Sequence, residues 1–102
     1  MYKTQILPLA QKDIKEAAVW YNQKQKGLGL RFTQELRKKV HLIAKSPFAS
    51  PIRYSHVRTT VLNVFPYMIH YVIDESTYTV IIIAVLHTSR NPRLWKERDK
   101  KH

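Results

Sequence analysis

The sequence predicts an α+β domain in the order β-α-α-β-β-β, with a helical hairpin on one face of a mostly antiparallel sheet and a short basic C-terminal tail. Three observations carry this prediction. Apolar residues recur at helical spacing from Leu28 to Ile43, and β-branched segments follow one another after Val57. The only two glycines, Gly27 and Gly29, fall where a turn between two helices belongs. A chain of 102 residues that is 44% hydrophobic supports one domain over residues 1–102 with its own core. The absence of cysteine excludes disulfides and Cys-ligated metal sites. No apolar run approaches the ~20 residues that span a bilayer, and Ile6–Ala10 is too short and broken for a signal peptide, so a soluble cytoplasmic domain without a membrane partner is expected.

The elements follow in order. Tyr2 to Leu7 alternates as a first strand, and Pro8 ends it, since proline lacks a ladder donor but suits a helix start. Ile14, Ala17, Ala18 and Tyr21 then form a thin helical stripe whose alanines permit close approach of another element. Leu28, Phe32, Leu36, Val40 and Ile43 form a second, stronger stripe, stopped by Ser46-Pro47. The short connection makes the two helices an antiparallel hairpin. Phe48 to Tyr54, which contains Ser50-Pro51 and directly follows Ser46-Pro47, reads as a loop. Strands are predicted over Val57–Leu62, Phe65–Ile73 and Thr77–His87. The last is apolar on both parities and so belongs in the middle of the sheet, joined to its predecessor by a turn at Asp74-Glu75-Ser76. Arg93 to His102 forms a short helical or frayed basic tail.

The charge is uneven as well as large. There are 18 Lys and Arg residues against 7 Asp and Glu, a formal net charge of +11. Lys24–Lys45 holds seven basic residues and one acid, and Arg90–Lys101 holds six basic residues and two acids. Two such segments favour a polyanionic partner, either nucleic acid or an acidic polypeptide, and composition does not separate them. No histidine pair has metal-ligand spacing on a helix, so neither a metal nor another cofactor is expected. His70 alternates with Ile69 and Tyr71 and is expected on the other sheet face, exposed or facing a ligand. His87 closes the longest apolar strand beside Arg90, a pairing suited to acid–base work on a phosphodiester and equally to a structural strand-end histidine. There is no nucleophile elbow and no phosphate-cradling glycine loop.

The order of elements, the run Asp13-Ile14-Lys15-Glu16-Ala17-Ala18-Val19-Trp20-Tyr21, the strand Phe65-Pro66-Tyr67-Met68-Ile69-His70-Tyr71 and the ending His87-Thr88-Ser89-Arg90-Asn91-Pro92 resemble the RelE/ParE superfamily of toxins from bacterial type II toxin–antitoxin (plasmid stabilisation) modules. The resemblance spans nearly the whole chain and rests on order and spacing. It implies a growth inhibitor silenced by a cognate acidic antitoxin. RelE-like members cleave mRNA on the ribosome, whereas ParE-like members inhibit DNA gyrase without being enzymes themselves. In the RelE-like type a catalytic arginine directly follows the first tyrosine of the strand that here reads Tyr67-Met68, and this chain has Met68 in its place. That departure moves the expectation toward the ParE-like type.

The resemblance extends to individual residues. A RelE-like activity would use His87, Arg90 and Arg58. An antitoxin surface would be built from Leu28, Phe32, Leu36, Arg31 and Lys39, with a sheet edge open to strand addition. Contact with gyrase, or with the ribosome and mRNA, would fall on Arg90, Arg93, Trp95, Lys96 and Arg98. A plain nucleic-acid-binding domain without toxicity is the reading from another class.

Overall fold

A computed structural model describes residues 1–101, with side chains through Lys100. The elements are β1 (Lys3–Ile6), α1 (Pro8–Lys24), α2 (Leu28–Lys45), β2 (Ile52–Tyr54), β3 (Val57–Val61), β4 (Tyr67–Asp74), β5 (Thr79–His87) and α3 (Pro92–Lys101). One open sheet runs β1-β5-β4-β3-β2. Its strands pair antiparallel except β1, which lies parallel to β5. The doubly apolar β5 is indeed interior, flanked by β1 and β4.

The predicted stripes meet where expected. Phe32, Leu36 and Ile43 of α2 and Ala10 and Ala17 of α1 bury against Ile69, Tyr71, Val80, Ile82 and Val85 of the sheet. Pro8 opens α1, and the preceding Leu7 N–H is already used by the Ile82 carbonyl. Gly27 turns the chain at φ +89°, with its N–H held by Asn22 Oδ1 at 2.8 Å. Gly29 is required for a different reason. A Cβ there would overlap the backbone carbonyl of Ala18, so the helices approach as closely as the small residues of α1 allow. Gly29→Ala is therefore expected to cost about 1–3 kcal/mol through overpacking. Thermal denaturation should show a Tm several degrees lower, while Leu30→Ala, at a side chain 64% exposed, should leave Tm almost unchanged.

Two sequence expectations, for the loop and for His70, are corrected, and the basic tail takes the helical form of its two alternatives. The segment read as a loop ends in the short edge strand β2, whose Ile52 pairs with Arg58 of β3. Its brevity and the adjoining Pro51 hid it. The basic tail is the helix α3, and it covers the sheet face opposite the α1–α2 hairpin; His102 of the predicted tail lies outside the described residues. Under α3, Leu94 and Trp95 pack on Val57, Met68, Val72, Ile83, Ala84 and Leu86, a second core. For that reason His70, though on the predicted face, is fully buried rather than exposed.

A β-bulge divides β5 between these two cores. His70 pairs with Ala84 and Tyr71 with Ile82, which leaves Ile83 as the extra residue. Ile83 and Ala84 both face α3, whereas Ile82 and Val85 both face the hairpin. Beyond the bulge every side chain is therefore on the face opposite to the one simple alternation from Ile82 would assign. His87 consequently lies on the α1 side.

Candidate target-binding groove

The bulge also frees backbone groups that need partners. Pairing with β1 ends at Ile82, so the Ile83 carbonyl and the Val85 N–H lie past the end of that ladder. Asp13 of α1 and Arg98 of α3 take them. Arg98 donates through both terminal nitrogens to the two Asp13 oxygens, each at 2.7 Å. Asp13 Oδ2 accepts the Val85 N–H at 3.0 Å, and Arg98 Nη1 donates to the Ile83 carbonyl at 3.3 Å. The pair is nearly buried, with side chains 9% and 13% exposed, and it ties α1, β5 and α3 together. Asp13 shares its helix face with Ala10 and Ala17, and a carboxylate on a small-residue, core-facing stripe was the available signal for this clamp.

Beside the clamp opens a groove of about 450 Å³. Asp13, Glu16, Trp20 and Tyr21 of α1 form one wall, Pro66, Tyr67 and His87 form the other, and Arg90 stands at one end. Tyr67 packs edge-on against His87 at 5.4 Å and against Tyr21 at 6.0 Å. Burial raises both phenols above their ordinary range; Tyr67 itself feels Arg90 lowering and Asp13 raising its value. Both therefore remain hydroxyl donors at neutral pH. Trp20 is half-exposed, with the Lys24 ammonium 5.0 Å from its ring centre. His87 Nδ1 accepts the Ser89 backbone N–H at 3.1 Å and lies 2.8 Å from the Ser89 hydroxyl. A backbone N–H only donates, so the neutral ring carries its proton on Nε2.

The residues selected from sequence separate here. His87 and Arg90 meet in the groove. Arg58 does not join them. It pairs with Tyr71, while His87 pairs with Tyr67 four residues away, roughly 13 Å along β4 at 3.3 Å per residue. Its guanidinium instead holds the Ser50 carbonyl at 2.6 Å and the Phe48 carbonyl at 3.4 Å. Met68 is buried beneath α3. Phe32 and Leu36 are core residues and are thereby removed from the predicted antitoxin surface, because the same periodicity that marked them turns them inward. Leu28 is partly buried, Arg31 is exposed, and Lys39 donates to Asn63 at 3.3 Å. Trp95 and Arg98 are likewise turned inward rather than toward a target. Trp95 is 8% exposed beneath Arg53, and Arg98 is held by Asp13. Arg90, Arg93 and Lys96 are exposed.

Known proteins share this architecture. No curated protein is a significant match to the sequence. Among solved structures, one from the chromosomal ParDE toxin–antitoxin system of P. aeruginosa superposes with a TM-score of 0.72 at 16% identity, covering 85% of this chain and 96% of the other. A variant of the E. coli toxin RelE with two arginines replaced by alanine, in the free state, gives 0.74 at 19% identity, covering 98% and 96%. The intact E. coli RelBE toxin–antitoxin complex gives 0.64 at 20% identity, covering 88% and 100%. At these identities the likeness is one of fold. The sequence pattern of the ParE toxin of the type II toxin–antitoxin system parDE matches residues 5–92, which include both groove walls and the bulged strand. The chain therefore belongs to the ParE toxin family of type II toxin–antitoxin systems, within the RelE/ParE superfamily.

Proposed function

We propose that this toxin inhibits growth by binding DNA gyrase, without catalysing a reaction itself, and that a cognate acidic antitoxin holds it silent. The observation that carries the reading is the failure of a cleavage set to converge. Phosphodiester cleavage needs an acid, a base and cations gathered around one phosphate. Here the position after Tyr67 is a buried methionine, and Arg58 is spent on the Phe48 and Ser50 carbonyls. The match to the ParE description supports gyrase as the recipient. Antitoxin contacts on α2 then fall to Arg31, Lys39 and the open edge of Leu28, beside the exposed Leu30.

Purified toxin is expected to block DNA supercoiling by gyrase at micromolar concentration, and co-expressed antitoxin to relieve the block. Undiminished supercoiling would sink the gyrase assignment. One observation favours a second reading, ribosome-dependent mRNA cleavage. His87, with its tautomer set by Ser89, shares the groove with Arg90. Primer extension on translated mRNA separates the two. New cuts that vanish in His87→Ala would establish cleavage, and unchanged transcripts are the result expected here.

A further inference from the structure

Helix α3 carries cations that nothing inside the molecule uses. Trp95 and Arg98 turn inward, while Arg93, Lys96 and Lys100 are exposed. At 3.6 residues per turn these three fall within an arc of roughly 60°. Arg53 flanks the helix, its guanidinium 5.5 Å from the centre of the Trp95 ring, and Arg90 stands where the chain enters it. Among the described residues, none of these five cations is in an ion pair. Asp99 lies on the inner side, within 3.8 Å of His56, and Glu97 is the exposed acid of the helix. An arginine, with no acid, occupies the first turn, against the helix dipole. The local charge is therefore self-repulsive, yet the buried tryptophan and the two-pronged Arg98–Asp13 pair hold it on a fixed frame.

The chemistry of the face selects its partner. An amphipathic acidic peptide needs apolar contacts next to the cations, and the helical hairpin provides them with Val19, Trp20, Leu30 and Leu42, each at least half-exposed. The outer side of α3 has no exposed large hydrophobic residue. Cations on a helix face without an exposed large apolar side chain suit an array of phosphates. We propose that the outer face of α3, with Arg53 and Arg90, binds the phosphate backbone of duplex DNA, so that the toxin meets its target on DNA. The choice of DNA over RNA rests on the gyrase reading. The positive charge is then divided between two opposite faces, one for an acidic protein and one for nucleic acid.

Fluorescence anisotropy of a labelled duplex across a salt series tests this with the whole protein. The exposed triple variant Arg93→Glu/Lys96→Glu/Lys100→Glu should bind DNA at least tenfold more weakly than wild type. Its log affinity against log salt should be shallower by nearly three, at about 0.9 per phosphate contact. A matched reversal on α2, Arg37→Glu/Lys38→Glu/Lys45→Glu, should retain binding within about threefold, as net charge alone would not predict. Equal losses in the two variants, or no DNA binding by wild type, would overturn the proposal. So would tighter binding to an RNA duplex than to DNA, or equal competition by polyglutamate at matched charge. If wild type binds DNA through α3 but leaves gyrase unaffected, the surface stands and the gyrase reading falls. Unchanged thermal melting of both variants establishes that they are folded.

Discussion

Replacing Asp13 with alanine is expected to destabilise this toxin by about 3–5 kcal/mol, the range for removing one partner of a buried ion pair. The reason lies in what remains behind. Arg98 would keep its charge beneath α3 with only the Ile83 carbonyl as partner, and the Val85 N–H would lose its acceptor. The Asp13 hydrogen bond is also what chiefly raises the Arg98 guanidinium above its ordinary value. Urea unfolding checks the magnitude, and amide hydrogen exchange at Val85 checks the mechanism, since protection there should fall before that of Val80 or Ile82. The double variant Asp13→Ala/Arg98→Met should recover part of the loss, because a matched apolar pair leaves no stranded charge. A loss below about 1 kcal/mol in Asp13→Ala would mean that water reaches Arg98, the range measured for exposed pairs. The clamp matters for function because it joins the wall of the groove to the helix that carries the unpaired cations. A change at Asp13 should therefore disturb both surfaces, the groove that it lines and the outer face of α3 that it reaches only through Arg98.

What the sequence disclosed follows the strength of each physical signal. The α2 stripe was legible because Phe32, Leu36 and Ile43 repeat at the helical period and do form the core. The same fact defeated their use as an antitoxin surface, since periodicity identifies the buried face and leaves the functional one unmarked. β5 was legible as an interior strand because both of its faces are apolar. That uniformity concealed the bulge, for Ile83 and Ala84 can share a face without placing a polar residue in a core. The alternation of β4 assigned His70 to the correct face, but its burial depends on α3. The segment Pro92–Lys101 has only Leu94 and Trp95 as apolar residues, and its third inward anchor is an arginine. Such a sequence reads as a solvated tail until its partner Asp13, far away in the chain, is known. In the groove, His87 and Arg90 are neighbours in sequence and stay neighbours in space, whereas Arg58 was linked to them only by residue type.

His70 should make stability fall as the solution is acidified. Its ring is fully buried, with Nδ1 3.1 Å from the Tyr54 hydroxyl and, among the described residues, no partner for Nε2. Burial first, and then the charges of Arg98 and Arg53, push its pKa down from 6.5 to about 4. The other groups around this side of the sheet are Tyr54, pushed up to about 12 by burial and Asp99, and His56, which faces Asp99. Thr59 lies across the strand pair, and the indole N–H of Trp95 also has no partner among the described residues. Above pH 6.5 the ring is neutral in both folded and unfolded chains, and its contribution to stability is fully present. Between pH 6.5 and about 4 the unfolded chain takes up a proton that the folded chain refuses, so stability declines through that window. At 1.36 kcal/mol per pH unit the loss reaches about 3 kcal/mol. His70→Phe removes the titration and the unsatisfied nitrogen together, while the Tyr54 hydroxyl keeps the Trp95 carbonyl at 3.4 Å. Its stability near pH 7 should match or exceed that of wild type, and the gap between the two should widen in the variant's favour as pH falls to 4. Denaturant titrations at several pH values measure that gap directly, because the carboxylates common to both proteins cancel. A gap constant from pH 7 to 4 would mean that His70 takes its proton as readily in the folded chain as in the unfolded one. Trp95 and the helix carrying it would then have to admit water to the sheet, and α3 would not be the fixed frame on which its unpaired cations depend.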